Sequence, residues 1–370
     1  MQALPRFALA PRLRPTPYSE AVDAAGASIY SVYNHMRLPV CFESFEADCA
    51  HLKTHVQVWD VAAQRQVQLR GPDAGALAQM MTPRDLSALR PGSCAYAPLV
   101  DDRGRLLNDP IAIKVDDDCW WFSIADSDVL LWAKGLALGH GLDVVISEPD
   151  VNPLAVQGPK ATELMARIFG DGIREMRPFG TTRGRFDGRE HVITRSGWSK
   201  QGGFEVYVEG WENAMPLWDA LFDLGTDLEV RAGCPNLIER VESGLLSYGS
   251  DMTSEHTPYE AGLGRYCAPE QVSCIGRDAL LEAREKGPDR QVRCITMPGD
   301  RVPPLRAFWP VTTRDGEHAG RVSSASWSPE FDTNVAIAMI EKGHWEPGTV
   351  LVVHTPDGAK EATVRERFFR

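Results

Sequence analysis

A chain of 370 residues is too long for one ordinary hydrophobic core, so two or three domains are expected. Hydrophobic residues make up 43% and charged residues 24%, the balance of a folded globular protein rather than a disordered one. The net charge of -12 leaves no general basic field to hold phosphates and argues against a nucleic-acid partner.

The first residues mix arginine and proline without the apolar stretch of a signal peptide, and residues 1 to 50 are rich in turns and aromatics. From there to about 150, strand-like and helix-like stretches alternate. QVQLR (66–70), IAIKV (111–115), CWWFS (119–123) and DVVISE (143–148) predict strands. DAGALAQMM (73–81) and SDVLLWAKGLAL (127–138) predict helices, the second stopping at Gly139-His140-Gly141. A second α+β region follows, with helix KATELMARIF, strands EHVITRS and FEVYVE, then helices ENAMPLWDALFDL and PNLIERVESGLL. The charged stretch 282–291 contains Gly-Pro and reads as a linker. Beyond it only strands recur (QVRCIT, AGRVSSAS, NVAIAMI, TVLVVHT, EATVRE), which predicts an all-β terminal domain. The eight cysteines show no Cys-x-x-Cys pair, so reduced thiols in a soluble cytoplasmic protein are expected. The longest apolar runs are broken by charge and fall short of a membrane span.

No Gly-x-x-x-x-Gly-Lys loop occurs and no Gly-x-Gly-x-x-Gly follows a strand, so nucleotide chemistry is not expected. His51 and His55 have the spacing of two ligands on one helix face, but no third ligand is evident. They read as a partly buried helix start, and no metal is expected. Trp120 and Trp121 read as strand core rather than a stacking platform.

Three segments stand out. DDRGRLLNDPIAI (101–113) runs from a glycine turn into a strand, with Asp109 where the strand begins; an acid before proline can also simply close a turn. RSGWSKQGGFEVYV (195–208) breaks a strand with a glycine-rich loop, then resumes with Phe204, Val206 and Val208 on one face. Glu205 and Tyr207 share the other face, and a Gly-Gly hairpin alone does not explain that pair beside Trp198. PNLIERVESGLLSYGSDM (235–252) predicts an amphipathic helix with Arg240 near its middle, either a solvated charge or a group reaching an anionic ligand.

At these segments the sequence resembles the aminomethyltransferase superfamily of the glycine-cleavage T-protein. Its members carry a Gly-Gly-x-x-Asp-Asp-Leu turn, an Arg-Thr-Gly-Tyr-Thr-Gly-Glu-x-Gly-Phe-Glu loop and an Arg-Leu-Glu-Ala-Gly helix ending in Tyr-Gly. TPYSEAVDAAGA (16–27), GPDAGALAQMMTPRDL (71–86), AVQGP (155–159), TPYEAGLG (257–264), IGRDAL (275–280) and VSSASWSPEFDTNVAIAMI (322–340) have counterparts in the same order. Three departures point to a subfamily. The double acid is Asn108-Asp109-Pro110, which leaves one carboxylate, the Gly-Trp-x-Met-Pro stretch is VYNHMRLP (32–39), and the loop tyrosine is Trp198. Together with HVQVWDV (55–61) and SIADSDVLLWAKGLA (123–137), these are most similar to the dimethylsulfoniopropionate demethylases.

The resemblance implies an α+β, three-domain T-protein-like fold around a central folate pocket. Residues 1–50 with 151–280 would form a discontinuous folate-binding domain, 51–150 a second α+β domain, and 290–370 a C-terminal β-barrel-like domain. It implies a tetrahydrofolate-dependent methyltransferase that converts dimethylsulfoniopropionate to methylmercaptopropionate and 5-methyltetrahydrofolate. Asp109 would be catalytic, Glu205, Tyr207 and Arg240 would bind tetrahydrofolate, and Trp198 and Tyr33 would line the substrate pocket. The partners would be the methyl donor and tetrahydrofolate, with no nucleic acid and no membrane; a homodimer is allowed. Two alternatives stay open: a tetrahydrofolate-dependent O-demethylase of a methoxylated aromatic acid, and a non-catalytic folate-binding protein of the same fold.

Overall fold

Side chains alternate along a strand, so a segment with two different faces must lie between two different environments. In the computed structural model, which describes residues 10–369, Gly203–Glu209 is such a strand within a six-stranded sheet. The order is Thr181–Phe186, Arg189–Thr194, Gly203–Glu209, Val151–Gln157, Gln57–Asp60 and Arg231–Gly233, with only the last pair parallel. Phe204, Val206 and Val208 face helices Ala161–Phe169 and Ala214–Leu224, in a core with Leu164, Leu217, Trp218 and Leu221. Glu205 and Tyr207 take the opposite face, as expected from the alternation.

A five-stranded sheet packs against that opposite face. Its order is Val145–Ser147, Gln66–Arg70, Cys119–Ser123, Ile111–Asp116 and Ser93–Tyr96. Trp120 and Phe122 point to helices Ala74–Met81 and Val129–His140, while Trp121 points between the sheets. Cys94, Ile113 and Trp121 there meet Val151, Val192 and Tyr207 of the larger sheet. Both tryptophans are core, as expected from the sequence.

The C-terminal region is a closed six-stranded barrel around Met297, Trp309, Val322, Ala336 and Leu351. Five of its strands fall on the expected segments. The sixth, Trp309–Thr312, is four residues long with a proline, too short to carry a period. The barrel presents Val335 and Ile337 to Val241 of helix Leu237–Ser243, which lies between the barrel and the rest of the chain.

Several expectations need correcting. The segment 282–291 is not a linker: helix Arg277–Lys286 occupies half of it, burying only Leu280, so its charges are a solvated helix face. The helix over 235–252 is only Leu237–Ser243, because Gly244 turns left-handed at φ 68° and caps it, which puts Arg240 in the last turn. His51 and His55 close helix Phe45–Thr54 rather than start one. Strands Gln57–Asp60, Ser93–Tyr96, Val151–Gln157 and Thr181–Phe186 lay outside the expected set. Among the described residues, no helix is long and apolar enough to cross a membrane.

Candidate active site

Asp109 stands where the short pair Leu99–Val100 and Leu106–Asn108 hands over to strand Ile111–Asp116. Its neighbour Asn108 is fully buried and works as a clamp. Asn108 Nδ2 donates to Ala125 O at 3.0 Å and Ser127 Oγ at 2.8 Å. Its Oδ1 accepts from the Ala125 and Asp109 N–H groups at 2.9 and 3.0 Å. With its side-chain amide used in full, Asn108 fixes the backbone from which Asp109 projects.

Tyr96 donates to Asp109 Oδ2 at 2.8 Å, whereas Oδ1 is buried without a hydrogen-bond partner among the described residues. Burial pushes the Asp109 carboxyl up to about 7, against the Tyr96 bond, which pulls it down. A carboxylate oxygen left in this state is suited to a cationic or N–H-bearing ligand. Tyr33, Tyr96 and Tyr248 lie within Coulombic reach: their phenols are raised first by burial and next by the Asp109 charge. Tyr33 ends the first strand of the hairpin Ile29–Tyr33 and Met36–Cys41, followed by Asn34 and His35 in left-handed conformations. Asn34 donates to Ala63 O and Ala125 O at 3.0 and 3.2 Å and accepts from Ser127 N at 3.2 Å. Asn34 and Asn108 therefore grip one segment, 125–127, and register Tyr33 against Asp109.

Glu205 is buried, receives a hydrogen bond from Ser196 Oγ, and is pushed up by burial. Tyr207 has no exposed surface, and its hydroxyl and Thr181 Oγ1 are buried without hydrogen-bond partners among the described residues. Cys94 connects the two ends of the site. Burial raises its thiol to about 11 against the pull of Thr181, with the Glu205 charge adding a smaller push upward, and it lies two residues before Tyr96 on one strand face. That separates the Asp109 and Glu205 ends by about 7 Å along the strand.

The glycine-rich loop between them is held from below. Gln157 donates to Ser196 O at 3.1 Å and accepts from Ser199 Oγ at 2.8 Å. A Cβ on Gly197 would lie 2.0 Å from Gln157 Nε2. Glu239, buried in helix Leu237–Ser243, accepts from Lys200 N at 2.8 Å, Gln201 Nε2 at 3.1 Å and Ser243 Oγ at 3.0 Å. The next residue, Arg240, sets its guanidinium 5.5 Å from the Trp198 ring centroid. Its donors go to Asp251 at 2.8 Å, Leu245 O at 3.3 Å and Ser324 Oγ at 2.5 Å. Arg240 is therefore neither a solvated charge nor an open anion receptor.

Of the singled-out residues, Asp109 and Tyr33 come together at one end, Glu205 and Tyr207 at the other, and Trp198 under Arg240. His51 and His55 stack on each other and bond Glu229 through its backbone and side chain. Tyr96, Asn34, Glu239 and Asp251 were missed. Glu239 gave no signal, since a glutamate in a helix's first turn is ordinary; Asn34 lay within the departure VYNHMRLP and could have been weighed there.

The chain belongs to the glycine-cleavage T-protein family: residues 18–271 match the GCVT N-terminal domain and 290–369 the glycine cleavage T-protein C-terminal barrel domain. It is 56% identical over 360 residues to the dimethylsulfoniopropionate demethylase DmdA of Ruegeria pomeroyi, covering 97% of this chain and 98% of that protein. It is 29% identical to an aminomethyltransferase of Symbiobacterium thermophilum, covering 96% and 97%. The crystal structure of the glycine cleavage system aminomethyltransferase T from Bartonella henselae shares the fold, with a TM-score of 0.85 at 24% identity, covering 97% of this chain and 98% of that one.

Proposed function

We propose that the chain is a tetrahydrofolate-dependent S-methyltransferase that demethylates dimethylsulfoniopropionate, giving methylmercaptopropionate and 5-methyltetrahydrofolate. The observation that carries this reading is the Asp109 carboxyl, held by Asn108 and Tyr96 with Oδ1 unmatched. It stands in a chain 56% identical to a dimethylsulfoniopropionate demethylase over nearly its whole length.

A sulfonium methyl is already electrophilic because a neutral thioether leaves, so the protein need only align donor and acceptor. Tetrahydrofolate, when bound, supplies the nucleophilic nitrogen that accepts the methyl. Ionised Asp109 faces the positive charge that develops there, and with its carboxyl near 7 it can take up the released proton on Oδ1 at neutral pH. Glu205 suits the amino-pyrimidine edge of a pterin, since a carboxylate accepts from two adjacent donors and Ser196 uses only part of its capacity. Tyr207 supplies the buried wall and a hydroxyl beside it. Trp198 and Tyr33 line the donor side, where an aromatic face attracts a sulfonium by about 0.5–2 kcal/mol. Asp251 balances the Arg240 charge, so Arg240 can orient the indole without adding a net positive charge beside the donor.

In this reading residues 1–50 with 151–280 form the domain of the larger sheet, which also takes in strand Gln57–Asp60, the rest of 51–150 forms the second domain facing it, and the 290–370 barrel braces both. Every named site residue comes from one chain, which is compatible with either a monomer or a homodimer. All eight cysteines are free thiols, as suits a cytoplasmic enzyme.

The test is turnover of a donor panel by pure protein with tetrahydrofolate. Dimethylsulfoniopropionate should give methylmercaptopropionate and 5-methyltetrahydrofolate in equal amounts. A methoxylated aromatic acid needs a proton donor for its leaving oxygen. Turnover of vanillate or syringate without turnover of the sulfonium would overturn the proposal.

A further inference from the structure

Most arginines here are matched. Arg167 pairs with Asp227, Arg240 with Asp251 and Arg290 with Glu260. Arg84 and Arg265, beside the Asp109 end of the site, are not. Arg84 and Arg265 lie 5.8 and 4.8 Å from the centroid of one ring, that of Tyr266. Arg265 also donates to the Tyr266 hydroxyl at 2.9 Å, and Arg84 Nε is buried without a hydrogen-bond partner among the described residues. Among the described residues neither guanidinium forms an ion pair. Asp85, next to Arg84, closes a turn of its own by accepting from Ser87 N at 2.9 Å.

The position of the pair gives it meaning. Tyr266 meets Tyr96 edge-on with centroids 4.8 Å apart, and Tyr96 donates to Asp109. The two cations thus sit two rings out from the Asp109 carboxyl, with Arg265 exposed and Arg84 half-buried. In a chain of net charge -12, two unmatched guanidiniums converging on one ring leave a local positive field at the site's margin. A guanidinium fork matches a carboxylate in a bidentate manner, and seating on a ring reduces the freedom lost on binding.

We propose that Arg84 and Arg265 form a carboxylate-binding site at the margin of the active site, which takes the acid group at the non-reacting end of a bound reactant. The source of that group rests on the proposed reaction, in which both reactants carry one: the glutamate tail of tetrahydrofolate and the propionate of the methyl donor. The shared chemistry is a carboxylate held outside the reacting centre, with Tyr266 as the platform.

The experiment compares wild type, Arg84→Gln, Arg265→Gln and the double variant, with Arg314→Gln as a remote control whose partner is Glu361 on the barrel. Tetrahydrofolate monoglutamate, its triglutamate and a free γ-linked triglutamate peptide are titrated by intrinsic fluorescence, and KM for dimethylsulfoniopropionate is measured beside kcat. If the tail is held, wild type prefers the triglutamate and binds the peptide. The double variant then loses the preference, with affinity down about tenfold for each guanidinium removed. If the propionate is held, KM for dimethylsulfoniopropionate rises by about the same factor, while trimethylsulfonium, which lacks a carboxylate, reacts at the wild-type rate. Either pattern, absent from Arg314→Gln, supports the site. Dissociation constants and KM all within about twofold of wild type in a cooperatively folded double variant overturn it. Should the double variant not fold, the single variants carry the same comparison. If wild type neither binds reduced folate nor turns over the sulfonium, the proposed reaction fails. The peptide titration still decides the arginine pair in that case, and no peptide binding by wild type counts against it.

Discussion

Asp109 combines two properties that rarely coexist, a rigid backbone and an acceptor oxygen without a partner among the described residues. Asn108 supplies the first through its clamp on Ala125 and Ser127, and burial supplies the second. Asp109→Asn keeps an acceptor for Tyr96 but removes the charge. Single-turnover methyl transfer should fall about 100- to 1000-fold with folate affinity largely kept. A rate within about threefold of wild type would show that Asp109 is a turn residue, a role asparagine fills equally well. In wild type the rate should rise with pH through about 7 as the carboxyl ionises, and the variant should lose that limb. Stability runs the other way. The folded carboxyl titrates near 7 and the ordinary one near 3.8, so the stability it contributes is present below about 4 and is lost as pH rises through 7. At pH 8 Asp109→Asn should therefore melt higher than wild type, by roughly 1–2 °C for each kcal/mol relieved, and the gap should close by pH 4.

The glycine-rich loop shows how one element assigns different work to adjacent residues. Gly202 has φ 80° and open space around a Cβ. Gly203 has φ 153°, and a Cβ there would lie 2.3 Å from the backbone oxygen of Val156, across the register that pairs Gln157 with Gly203. Gly202→Ala should cost about 1–2 kcal/mol, the ordinary penalty of a left-handed alanine. Gly203→Ala must also push two paired strands apart and should cost more, about 3 kcal/mol or above. Urea midpoints of the two variants check this; equal losses would mean that the strand contact yields easily. Helix Leu237–Ser243 divides its labour in the same way. Glu239 ties the loop, Arg240 seats Trp198, and Glu242 pairs with Lys53 at 2.6 Å.

Over the whole molecule, the Arg240–Asp251 pair joins the helix to the barrel. Asp251 is buried and also accepts from Ser247 N, Ser323 Oγ and Ser324 Oγ at 2.9, 2.6 and 2.7 Å. Asp251→Ala would strand a buried guanidinium and should cost about 3–5 kcal/mol in urea unfolding. Because Arg240 also seats Trp198, KM for the methyl donor should rise in the same variant. A loss under about 0.5 kcal/mol would mean the bridge is incidental.

What the sequence determined by itself was whatever is written locally. The alternation in FEVYVE placed Glu205 and Tyr207 on one face, the strands after residue 290 announced an all-β domain, and motifs in order identified the family. Where the local signal was ambiguous the reading failed: the charges of 282–291 suit a linker and a solvated helix equally, and only burial of Leu280 separates them. Only the tertiary structure decided which charges and hydroxyls meet. Tyr96 reaches Asp109 across the turn, Asn34 grips residues 125–127, and Arg240 spends its fork on Asp251 and on Ser324 of the barrel. Periodicity is a property of neighbours along the chain, and a pattern of neighbours survives in the sequence. A hydrogen bond or ion pair depends on where two distant backbones are brought together, so the same Arg240 reads as solvated, ligand-binding or buried until the barrel docks against it.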